Sequence, residues 1–184
     1  VSTLGLVGDK QADTLHHGGT DKALHHYPFE HYKAWAAALP SRADFFKAGG
    51  FGENLCTLGV DEDSVCLGDV FQLGTAIIQV SQGRTPCWKL NHRFGIADMV
   101  RRVQDSGRTG WYYRVLAEGS IAPEGELSLI ERPYPDWTLA RLINVLHHDQ
   151  PDRKALARLA ELPLLASSWR EKAEKRLATG QIES

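Results

Sequence analysis

Apolar residues recur at helical spacing in only part of this chain. Between His26 and Leu39, the residues Tyr27, Trp35, Ala36 and Leu39 fall near one face. That spacing predicts a helix over Phe29–Ala38, entered at Pro28 and ended at Pro40. From Gly49 to Gly83 the pattern changes, and glycines punctuate short apolar runs. Leu67–Gly74 reads as a strand or hairpin arm, and the β-branched run Thr75–Ser81 as a strand. Ile96, Met99, Val100 and Val103 share one face of a short helix over Ile96–Gln104, closed by Gly107 and Gly110. Trp111–Leu116 and Leu127–Arg132 read as further strands, the second stopped by Pro133.

After Pro135 the strand pattern ends. Asp136 can cap a helix over Thr138–His148. Pro151 or Asp152 starts a second over Arg153–Glu161. Ser167 or Ser168 starts a third over Trp169–Ala178, closed by Gly180. Short strands joined by glycine turns predict a β-barrel-centred α+β fold with peripheral helices, rather than a layered α/β sheet. The last fifty or so residues predict a small all-α three-helix appendage. The expected division is 1–133 for the barrel domain and 134–184 for the helical one.

Composition narrows the picture. Apolar residues make up 42% of the 184, enough for a core and too many for a disordered chain. A formal net charge of −2 gives no general field for a nucleic-acid backbone, although local basic clusters could hold a small anion. No apolar run approaches the roughly 20 residues of a membrane span. The three cysteines, Cys56, Cys66 and Cys87, form no CxxC pair, which argues against a disulfide framework and a structural zinc site and suits a reducing cytoplasm.

Candidate chemistry centres on Val80–Leu90. There Cys87 lies in a proline-shaped loop at the end of a strand, with Arg84, Lys89 and Arg93 close by in sequence. Nearby cations favour the thiolate, the form that acts as nucleophile or soft-metal ligand. Inert burial, a nucleophile and a metal ligand all remain open for such a cysteine; the nucleophile lacks a recognisable Cys-His-Asn partner set. A metal held by one protein thiolate needs further donors, such as dithiolene sulfurs. A second loop, His16–Lys22, sets Gly18 and Gly19 between His17 and Lys22 and could cradle an anion or be an ordinary turn. A third, Gly50–Leu55, carries Glu53 and Asn54. The eight histidines include no HExxH, and His25, His26 and His31 lack the i, i+4 spacing of a helical zinc site.

Taken together, these segments resemble the MOSC family, named for the C-terminal domain of molybdenum cofactor sulfurases, in its bacterial YiiM-like branch. The resemblance is carried by Gly8–Asp13, His17-Gly18-Gly19 with Asp21-Lys22-Ala23, His26-Tyr27-Pro28 with Glu30-His31-Tyr32, Gly52–Leu55, Gly68-Asp69, and Gln79–Gln82 running on through Arg84–Leu90. The C-terminal helices resemble the three-helix domain appended in that branch. The resemblance implies binding of molybdenum cofactor, a pterin with a dithiolene and a phosphate. It implies Cys87 as the protein ligand of molybdenum. Candidates for the phosphate or pterin are then His17, Gly18, Gly19, Lys22, Arg84, Lys89 and Arg93, with Asn54 at a polar pterin edge.

The implied activity is reduction of N-hydroxylated compounds, such as 6-hydroxylaminopurine, to amines. Electrons would come from a separate flavin-dependent reductase, since the chain has no nucleotide fingerprint and no iron–sulfur cysteine set. His17 and His26 are the expected proton donors, because imidazole titrates near neutrality. A homodimer is left open. Two other readings stand beside this one: a non-redox carrier of cofactor or sulfur using Cys87, and an interaction domain with a degenerate site. Only Val1–Val7 precede the Gly8-Asp9 segment, where the family has strand sequence, so the native protein is expected to extend further upstream.

Overall fold

The computed structural model describes residues 1–9, 18–147 and 152–180. Five strands make one antiparallel sheet: β1 (Leu24–His26), β2 (Val70–Leu73), β3 (Ala76–Gly83), β4 (Trp111–Ala117) and β5 (Leu127–Glu131), in the order β1-β4-β3-β2-β5. The helices are α1 (Phe29–Ala38), α2 (Lys89–Phe94), α3 (Met99–Ser106), α4 (Leu139–His147), α5 (Arg153–Ala160) and α6 (Ser167–Thr179). No helix among the described residues is long and apolar enough to cross a membrane.

The class is the expected one, strands at the centre with helices around them and a helical C-terminal unit. The sheet is open rather than closed into a barrel. Among the described residues, β1 pairs only with β4, and β5 only with β2. At three residues, β1 is too short to offer a second ladder; its far side makes one parallel bridge, His26 to Leu55.

Side-chain alternation sorts the sheet into two faces. Leu24, Val80, Trp111, Tyr113 and Val115 turn into an apolar core with Phe71, Leu73 and Ile78. A second core is aromatic, built from Tyr27, Tyr32, Trp35, Phe46, Phe51 and Phe94 with Leu90, Met99 and Val103, and it joins α1, α2 and α3. The third core lies within the C-terminal helices and includes Trp137, Leu142, Leu156 and Trp169; Leu67, from before β2, reaches into it.

Two glycines show how closely that helical unit sits on the sheet. A Cβ on Gly83 would lie 2.6 Å from Trp169 Cη2, and one on Gly68 2.8 Å from Leu164 Cδ1 and 2.9 Å from Pro133 Cγ. Asp69, fully buried beside Gly68, accepts from Arg132 at 2.7 and 2.9 Å and from the Cys66 amide at 2.9 Å. The Gly-Asp pair is thus a packing and ion-pair joint rather than a ligand loop.

Candidate functional site

β3 is buried along nearly its whole length and delivers its last residues to a loop over residues 84–88. The Arg84 amide continues the ladder by donating to the Gly110 carbonyl at 3.0 Å. Its guanidinium is buried, at 8% residual exposure; Nη1 has no hydrogen-bond partner, and among the described residues no carboxylate pairs with it. A buried cation without a counter-charge is costly and calls for an anion or a polar ligand. Cys87 is half-buried, so its thiol is accessible, and it is not disulfide-bonded.

Two further groups complete the cluster. Tyr112 stands across from Gln82 on one side and His25 on the other in the sheet register. The His25 and Tyr112 rings lie 5.0 Å apart. The Tyr112 hydroxyl is held above its usual pKa first by burial and also by the neighbouring Cys87 sulfur, with Arg84 pulling the other way. His25 is driven well below the usual imidazole range, chiefly by burial and then by the Arg84 charge, with the carbonyls of Gly52 and Thr109 opposing. Its Nε2 is buried without a hydrogen-bond partner. The cluster therefore holds one cation, a neutral imidazole, a protonated phenol and a reachable thiol. Such a set can hold an anionic or polar ligand and offer it a soft sulfur ligand.

The turn that follows the glycine pair packs on the neighbouring strands. Gly19, at φ 103°, leads into a 3₁₀ turn over Thr20–Lys22. The Asp21 carbonyl of that turn accepts from Ser81 Oγ at 2.6 Å, three residues before Arg84, and its carboxylate accepts from Arg114 at 2.8 Å. The Thr20–Lys22 turn is thereby tied to β3 and β4. Burial lowers the Lys22 pKa, and Asp21 opposes the effect. Lys89 opens α2, two residues after Cys87. His17 lies outside the described residues.

Three expected site residues are used differently. His26 points to the opposite face from His25, as neighbours on a strand must. Its Nδ1 meets Tyr113 Oη at 3.0 Å and its Nε2 meets Thr57 Oγ1 at 2.8 Å. Burial pushes its pKa down to about 3, so the near-neutral titration behind its expected proton-donor role is absent. Asn54 spends its side chain on the chain itself: Oδ1 accepts from the His25 amide at 2.8 Å, and Nδ2 donates to Asp9 at 2.9 Å. Arg93 donates to the Gly49 carbonyl at 2.9 Å and borders a cavity of about 540 Å³ lined by Asp44, Phe45, Lys47, Ala48 and the Gly49-Gly50 pair. None of Arg84, Cys87, His25 or Tyr112 lines that cavity.

The C-terminal helices also reach this loop. The Ala166 amide donates to the Ser81 carbonyl at 3.0 Å, Ser168 Oγ to Gln82 Oε1 at 3.0 Å, and Lys172 Nζ to Thr85 Oγ1 at 3.4 Å. With Trp169 on Gly83, the start of α6 grips residues 81–85 from end to end. His25 and Tyr112 were within reach of a strict strand-alternation reading. Lys172 was not, because its partner is 87 positions away. Among the described residues, no three His, Cys, Asp or Glu side chains are grouped to hold a metal ion. A metal here would need donors from its own cofactor beside Cys87.

Known proteins share this fold and much of this sequence. Residues 13–128 match the family model of the MOSC domain, and residues 137–180 match that of the YiiM-like, 3-alpha helix domain. Protein YiiM of Escherichia coli (strain K12) is 43% identical over 183 residues, covering 100% of this chain and 81% of that protein. A protein named Reductase from Gibberella moniliformis is 38% identical over 164 residues, covering 89% of this chain but 29% of that protein. The crystal structure of YiiM from Escherichia coli superposes with a TM-score of 0.90 at 40% identity, covering 100% of this chain and 87% of that one. The chain is a MOSC-domain protein with the YiiM-like three-helix domain at its C-terminal side.

Proposed function

We propose that this protein is a molybdenum cofactor-dependent oxidoreductase. It reduces N-hydroxylated compounds, such as 6-hydroxylaminopurine, with electrons from a separate flavin-dependent reductase. The family and the reductase-named relative support oxidoreductase chemistry. The observation that carries the cofactor is the buried Arg84 guanidinium, paired with no carboxylate among the described residues, in the same loop as half-buried Cys87.

The residues fit the group. A pterin dithiolene with a phosphate is anionic, and Arg84, with Lys22 and Lys89, supplies cations without competing acids paired to Arg84. Cys87 would be the one protein sulfur on the metal. The cofactor supplies two-electron chemistry at molybdenum; overall, the hydroxylamine takes up two electrons and two protons and leaves as amine and water. The chain's own part is to orient and to exclude water. Arg84 fixes the anionic end. The Tyr112 Oη keeps its proton at neutral pH, and the uncharged His25 imidazole adds no second charge beside Arg84. His17 is our candidate for proton delivery, in place of His26. The three free thiols suit a reducing cytoplasm, where we place the protein.

The test is molybdenum and pterin content of the wild type, Cys87→Ser and Arg84→Met made in a cofactor-competent host, with turnover from an artificial electron donor. Metal in the wild type, its loss in both variants and amine formation by the wild type are expected. Metal without amine formation would make the protein a carrier, and no metal at all would remove the reading.

A further inference from the structure

Trp88 is the one tryptophan of five that the fold leaves in water. Trp35, Trp111, Trp137 and Trp169 are buried in the cores, whereas Trp88 keeps 69% of its surface exposed. Among the described residues, no ring stacks on it and no guanidinium covers it. Its backbone is nonetheless held. The Leu90 amide donates to the Cys87 carbonyl, and the Asn91 amide to the Trp88 carbonyl, both at 3.0 Å. The Asn91 side chain then ties that first turn of α2 to Ala97 and Val100 at 2.7 and 2.8 Å. A large flat indole therefore stands on a fixed turn, one peptide away from the accessible thiol.

A rigid aromatic face left in water beside a reactive group is a surface for another flat ring. Its surroundings favour a small heteroaromatic molecule over a protein. Tryptophans that anchor protein partners sit at the dry, apolar centre of an interface. Along the chain, Trp88 is followed by Lys89, His92 and Arg93, the last two exposed, and it follows buried Arg84 by four residues. Polar groups of this kind suit the nitrogen-rich edges of a purine or similar ring.

We propose that Trp88 is a stacking platform that selects flat heteroaromatic rings at the Cys87 site. It sets the substrate class within the redox reading and rests on that reading only for the reacting N–O group.

Fluorescence gives a readout independent of turnover. Because the other four tryptophans are buried, the acrylamide-quenchable, red-edge emission belongs to Trp88. The probe is adenine, which carries no N–O bond, titrated into the full chain as isolated with its cofactor. Adenine should shield Trp88 from acrylamide. Trp88→Phe should keep adenine affinity within a few-fold, and Trp88→Ala should weaken it by roughly ten-fold, as loss of one base–aromatic stack does. KM for 6-hydroxylaminopurine should rise in parallel, while KM for a small aliphatic N-hydroxy compound should not. Equal adenine affinity in Trp88→Ala overturns the proposal. So does a Trp88 already shielded in the free protein in a concentration-dependent way, which would make it a contact between copies. Shielding by adenine in protein that reduces no N–O bond would leave the platform standing and remove the redox reading. Reduction with the same aromatic preference in Trp88→Ala would do the reverse.

Discussion

Arg84 and Cys87 respond differently to substitution because one is buried and the other is not. Replacing half-buried Cys87 with Ser removes little packing, so thermal stability should stay within ~0.5 kcal/mol of wild type, while on the proposed reading molybdenum is lost. Arg84→Met removes a buried charge that has no carboxylate partner among the described residues. Without ligand, its unfolding midpoint in urea should equal or exceed that of wild type, because the desolvation penalty goes with the charge. A clear drop in ligand-free stability would mean that the guanidinium is satisfied by the fold itself. The histidines set the acid limit. His26 and His147 are held down to about 3 and about 4, both chiefly by burial, and His25 lies well below its ordinary value as well. All three are neutral in the fold but protonated in the unfolded chain below about pH 6.5, so the unfolded state binds more protons there. Stability should hold above pH 6.5 and fall as pH drops toward about 3, by on the order of a few kcal/mol each for His26 and His147 at the bottom of the window. Urea midpoints on the two sides of pH 6.5 check this, and a flat profile would contradict the burial of His26 and His147.

Elements were legible in the sequence where they carry their own pattern. Phe29–Ala38 forms the expected helix over the same residues, because Pro28 and Pro40 bracket a run of good helix formers. Asp152 caps α5 by accepting from the amides of Lys154 and Ala155, and Gly180 ends α6 in the left-handed region, both as local chemistry dictates. β1 escaped notice because three residues show no period, and α2 because the Cys87 loop hides its start; Gly95, left-handed at φ 62°, marks only its end. The site was legible in the same uneven way. The Arg84–Cys87 loop and the glycine turn announce themselves by composition. The choice between His25 and His26 depended on knowing that they sit on a strand and which face is core. At this scale the joint between β3 and α6 can be tested by one atom. Gly83→Ala puts a methyl group 2.6 Å from the Trp169 ring and 3.1 Å from Ile143. It should cost about 1–3 kcal/mol and lower molybdenum retention together with it. Trp169→Phe in the same chain, by opening space, should recover part of both losses.

Across the whole molecule, the three-helix unit behaves as part of the site's frame. Backbone bonds cross the joint from Leu67 to Trp137, Leu139 to Val65, Ala140 to Glu62 and Ala166 to Ser81. Glu62 in turn binds His31 at 2.7 Å and accepts from the Gly110 amide, next to the strand that carries Tyr112. A chain cut before Trp137 would bare Leu67 and the Gly83 face, and it should appear in the insoluble fraction or bind a hydrophobic dye strongly. A soluble, cooperatively melting fragment with its thiol loop intact would show that the helices are separable. The span of the joint has a further consequence for biogenesis. Ser168 holds Gln82 across 86 positions of chain, and Lys172 holds Thr85 across 87. During synthesis, the segment bearing Cys87 emerges long before the helix that braces it. On the proposed reading, a nascent chain therefore has no finished pocket to load until that helix has emerged and folded onto the strand.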